Sequence, residues 1–86
     1  MTKNMLEKIN EVFANNEEIT IALHVGMYVV DSDGYGYFDF GYFEFGFDEY
    51  DSNVFEMEYN LSKYDVTSVK EDTENNMYHI WGMKNK

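Results

Sequence analysis

Apolar residues at Met5, Leu6, Ile9, Val12 and Phe13 recur at three- and four-residue intervals, and Asn4 with Glu7 three places on forms a capping-box variant ahead of them. This predicts an amphipathic helix over 5–15, ended by Asn15 and Asn16 in the left-handed conformation. From Ile19 to Val30 the rhythm changes: every odd position is apolar and the even ones are mixed, the mark of a half-buried strand. Asp31-Ser32-Asp33-Gly34 then reverses the chain, with Asp33-Gly34 as a two-residue hairpin turn.

The returning strand holds three near-copies of one pentapeptide: Gly36-Tyr37-Phe38-Asp39-Phe40, Gly41-Tyr42-Phe43-Glu44-Phe45 and Gly46-Phe47-Asp48-Glu49-Tyr50. Five is odd and a strand repeats every two residues, so an unbroken strand would send successive copies to opposite faces. A bulge near Gly41-Tyr42 would restore the phase. It would set Val29 against Phe38, Met27 against Phe40, Val25 against Phe43, Leu23 against Phe45 and Ile21 against Phe47, all apolar and inward. Tyr37, Asp39, Glu44, Gly46 and Asp48 would then share the outer face, opposite Val30, Tyr28, His24, Ala22 and Thr20.

After a turn at 49–53, the alternation of Phe55, Met57, Tyr59 and Leu61 with Glu56 and Glu58 predicts a third strand, its acids beside Asp39, Glu44 and Asp48. Tyr64–Glu71 and Met77–Met83 form a second hairpin across 72–76. The expected fold is a single α+β domain over 1–86: one helix on a twisted, four- to five-stranded antiparallel sheet, in α-β-β-β-β-β meander order.

Charge sharpens this picture. The chain carries 17 Asp+Glu against 6 Lys+Arg, a net −11, and none of its basic residues is arginine. Between Lys8 and Lys63 lie 12 acids and no cation, a block that includes Asp39, Glu44, Asp48, Glu49, Asp51, Glu56 and Glu58. Ordinary surfaces intersperse both signs, since like charges directly opposite on strands repel. One explanation is solubility for a chain with 19% aromatic residues; the other is a field directed at a basic partner. Tyr28, Tyr37 and Tyr42, tyrosines among acids on the outer face, are the expected anchors of such an interface.

Other chemistry finds little support. Placing Gly34 at the sixth position of an EF-hand loop puts Val29 and Phe40 where acids are needed, so a hairpin turn explains these residues better than calcium. His24 and His79 have no cysteine to help them hold zinc, and His24 is expected to pair with Glu44. No nucleophile elbow and no phosphate-cradling glycine motif occurs. A cation-free aromatic strand is also a poor nucleic-acid binder, because single-strand platforms need a basic groove. The expectation is a non-enzymatic protein without metal or cofactor. It is further expected to lack a signal peptide and a membrane span, to be cytoplasmic, and to be a monomer or homodimer.

In size, in its cation-free stretch from Ile9 to Ser62, and in a composition rich in Asn, Tyr, Phe and Lys with no Pro or Arg, the chain resembles the small acidic DNA-mimic inhibitors of phages and mobile elements. These include anti-CRISPR, anti-restriction and DNA-glycosylase-inhibitor proteins. They share no fold or motif, so the resemblance assigns no residue. It implies a basic nucleic-acid-binding partner in a bacterial host, with a Cas9-type nuclease as the best single guess, bound where that protein reads the PAM or holds the heteroduplex. The alternative is an acidic adaptor or regulatory subunit that imitates nothing.

Overall fold

The computed structural model describes residues 3–85. Helix α1 (Met5–Asn15) begins where the capping residues predict, with the Asn4 side chain accepting from the Glu7 amide at 2.9 Å. Its end differs from expectation. Asn16 is extended, its N–H bonds to the Val12 carbonyl, and its side-chain oxygen accepts from the Glu18 amide. The face of α1 made by Met5, Ile9, Val12 and Phe13 is buried.

Strands β1 (Thr20–Val30) and β2 (Gly36–Phe45) form the first hairpin, and β3 (Tyr64–Asp72) and β4 (Met77–Lys84) the second. The sheet order is β2-β1-β4-β3. Both hairpins are antiparallel, but β1 and β4 are parallel, from Thr20↔Met77 to Gly26↔Met83. The fold is therefore α+β with a mixed sheet, and the expected antiparallel meander is corrected. Alternation along single strands specifies which face is buried; it carries no information on which strand lies beside β1.

The expected third strand is also absent. Residues 47–59 form two short helices, α2 (Phe47–Asp51) and α3 (Val54–Tyr59), followed by a 3-10 turn at Leu61–Lys63. Phe55 and Tyr59 stand four residues apart and fit one helical face as well as one strand face. The exposed Met57 between them, which strand alternation would have turned inward, decides for the helix. Asn53 and Asn60, with φ of 63° and 53°, take the left-handed conformation on either side of α3. Acids open both helices, Asp48 and Glu49 in α2 and Glu56 in α3, where they favour the positive end of the backbone dipole.

One face of the sheet is covered. Ile21, Leu23, Phe45 and Ile80 are buried there with Met5, Ile9, Phe13 and Leu61. Phe55 stacks on Phe45 with centroids 4.2 Å apart, and Tyr59 lies 4.3 Å from Phe43, so α3 closes the β2 side of this core. Gly82 permits the closest approach. A Cβ there would lie 2.8 Å from both the Asp65 carbonyl oxygen and the Met5 methyl.

Candidate functional site: an uncovered aromatic sheet face

The connection between β1 and β2 sets the register of the first hairpin. The Asp31 carboxylate accepts from the amides of Asp33 and Tyr35 at 2.9 and 3.0 Å, and the Asp31 amide donates to the Tyr35 carbonyl. The reversal thus spans 31–35, with Gly34 at φ 87°, in place of the expected two-residue turn. Pairing then runs without interruption from Val30↔Gly36 to Ile21↔Phe45. There is no bulge at Gly41-Tyr42, and the first two pentapeptides do fall on opposite faces.

The predicted outer row is accordingly dispersed. Glu44 and Tyr42 lie on the open side of β2 with Phe38 and Phe40, whereas Asp39 and Tyr37 lie on the side of Phe43 and Phe45. Tyr28 is on the open side of β1. Asp48, Glu49 and Asp51 are on α2, and Glu56 and Glu58 on α3, rather than on a strand of the sheet. None of these acids belongs to an ion pair among the described residues; Glu11 alone does, held by Lys3 and Lys8.

What the open side displays is aromatic. The His24 ring stacks on Trp81 at 4.4 Å and 11°, and Tyr42 meets His24 edge-on at 4.8 Å. His79, beside His24 on the neighbouring strand, shares a 3.0 Å hydrogen bond between His24 Nε2 and His79 Nδ1. Burial, reinforced by the nearby His79, holds His24 below the ordinary imidazole range and keeps it neutral. The Tyr42 hydroxyl donates to Glu44 at 2.7 Å, which pushes its own ionisation up. The expected His24–Glu44 pair is thus replaced by His24–His79 and Tyr42–Glu44. The second hairpin's facing, which supplies His79 and Trp81, was not readable from a short segment with apolar residues at both parities.

Beyond Gly26↔Met83, β1 loses β4, and β1 and β2 continue as a two-stranded arm in a molecule 45 Å long and 25–26 Å across. The arm carries Tyr28, Tyr37, Phe38 and Phe40, the last 73% exposed. Tyr28 and Phe38 meet at 5.4 Å, and Phe38 and Phe40 stack at 6.0 Å. At the base of the arm a groove of about 430 Å³ opens among Phe40, Tyr42, His24, Trp81 and Met83, above Gly26.

No family model, curated protein or solved structure matches the chain. Aromatic rings present negative faces to cations, most strongly to guanidinium and ammonium groups, and Glu44 adds a carboxylate at the margin. Among the described residues no cluster of three or more His, Asp or Glu is placed to hold a metal ion, and no helix is long and apolar enough to cross a membrane.

Proposed function

We propose that this chain is an acidic interaction protein that docks its open sheet face on a basic surface of a partner protein and so blocks that surface. The supporting observation is the continuous aromatic surface running from Trp81, His24 and Tyr42 onto Phe40, Phe38 and Tyr28, left uncovered in a protein of charge −11. A monomer that exposes so many neighbouring rings gains by covering them, and its charge selects a cationic partner and speeds their encounter. Tyr and Trp on such a face act as anchors.

A second reading keeps the imitation of DNA but moves it off the sheet. Glu17, Glu18, Asp48 and Glu49 line one open hollow with no cation in its wall, a compact group of carboxylates on a fixed scaffold. In this version the target is a nucleic-acid channel, such as that of a Cas9-type nuclease. Duplex DNA competes for it, and binding weakens steeply with salt.

Two variants separate the readings in co-purification from a bacterial lysate. Phe40→Ser with Tyr42→Ser removes anchors from the sheet face; Asp48→Lys with Glu49→Lys reverses charge on α2. Docking through the face predicts that the first variant loses the captured protein and the second retains most of it, with duplex competitor having no effect. Loss only in the charge-reversed variant, together with displacement by duplex, would favour the DNA-mimic reading. Retention by both variants would reject the two surfaces alike.

A further inference from the structure

The two edges of the sheet are treated differently. At β3 the pairing is interrupted by a bulge between Val66 and Ser68, Asn4 bridges to Asp65, the Val66 amide donates to the Lys3 carbonyl at 2.9 Å, and Lys70 stands on the strand. Each is a device by which natural proteins close an edge to further strands. β2 has none of them. It runs ten residues in one register, contains no lysine or proline, and among the described residues no hydrogen bond from outside β1 reaches its backbone. Its exposed side chains, Tyr37, Phe38, Phe40 and Tyr42, rise on both sides of that bare edge.

We infer that the β2 edge is a strand-addition site for an extended, cationic segment of a partner protein. The inference rests on the proposed reading that the partner is basic, and it adds the manner of binding. A strand laid along β2 would take up its free N–H and C=O groups, while side-chain contacts on the two faces supply selectivity. Asp39 and Glu44 lie five residues apart and on opposite faces of β2, so the matching segment carries Lys or Arg five residues apart, one on each face. Charge argues against a second copy as the occupant, since each would bring −11 to the contact.

The probe is a capped octapeptide, Val-Lys-Val-Thr-Val-Thr-Lys-Val, at about physiological salt, followed by amide hydrogen exchange of the full chain. Two controls accompany it: the same peptide with N-methylated backbone amides, and a version with serine in place of lysine. Strand addition predicts that the lysine peptide slows exchange at alternate amides within Gly36–Phe45 by about tenfold or more. The methylated peptide should give no protection and the serine peptide much less. Equal binding by the methylated peptide overturns edge pairing, yet leaves the basic-partner reading standing if lysine still outperforms serine. Equal protection by the lysine and serine peptides overturns the cationic occupant and the reading beneath it. Absence of protection at millimolar lysine peptide overturns the site. So does protection that grows with protein concentration without peptide, which would give the edge to a second copy.

Discussion

Phe40 and Phe45 occupy the last place in successive pentapeptides of one strand, and the structure assigns them opposite fates. Phe45 is 1% exposed, stacked on Phe55 at 4.2 Å and edge-on to Phe13 at 6.1 Å, whereas Phe40 is 73% exposed. Replacing Phe45 by alanine removes a buried ring and leaves a cavity beneath α1, α2 and α3, a loss of about 3–5 kcal/mol. The whole stability expected of 86 residues is on the order of 4–13 kcal/mol, so Phe45→Ala should lie near the limit of folding. At about 4–8 °C per kcal/mol for a chain of this size, the midpoint should fall by about 12–40 °C. The same substitution at Phe40 removes a ring already in water and should cost no more than about 0.5 kcal/mol. Thermal and urea unfolding followed by circular dichroism compares the pair directly. Similar losses from both would mean that Phe40 faces the core, as a bulged strand requires, and the uninterrupted register with its open aromatic face would be refuted.

Two other outcomes are expected. Gly82→Ala should destabilise by about 1–3 kcal/mol in urea titration, because the new methyl would press on the Asp65 carbonyl oxygen, backbone that cannot swing aside; a neutral result would mean that β3 and β4 are less closely joined at this point. His24 is held neutral by burial and by His79, with Tyr42 and Trp81 against its ring, so its contribution to stability is complete above the ordinary imidazole value of about 6.5. That contribution declines as pH falls below this value and levels off once the folded ring also takes a proton. His24→Gln should flatten the loss of stability as pH falls below about 6.5, and an unchanged slope would show that the ring does not titrate in the manner described.

Local signals in the sequence were accurate where local physics decides. Asn4 and Glu7 mark the start of α1 correctly, its apolar face is the one buried, and the segments read as the second hairpin do pair as β3 and β4. Errors arose where distant parts of the chain decide. The bulge expected at Gly41-Tyr42 would restore the phase of the pentapeptide copies and make every inward pair apolar, which turns every phenylalanine of β2 toward the core. Helices α2 and α3 instead supply Phe47, Tyr50, Phe55 and Tyr59, and the core needs only Phe43 and Phe45 from β2. The surplus rings, Phe38 and Phe40, remain outside as the candidate site. Of the residues expected to bind a partner, Tyr28, Tyr42 and Glu44 share the open face; Asp39, Tyr37 and the helical acids do not. Trp81 and His79 went unassigned because nothing local in β4 reveals its parallel neighbour.

That parallel neighbour also constrains how the chain is assembled. Hairpin β1–β2 closes across the few residues from Val30 to Gly36, but the β1–β4 ladder begins only when Thr20 meets Met77. Loop-closure entropy scaling with the logarithm of separation makes the second event costlier by about 2 kcal/mol before any contact is rewarded. During synthesis the first hairpin is finished while its central strand still lacks a flank, exposing phenylalanine-rich ribbon with two open sides. The order of events thus favours slow maturation and early exposure to chaperones or to self-pairing, a vulnerability set by connectivity alone.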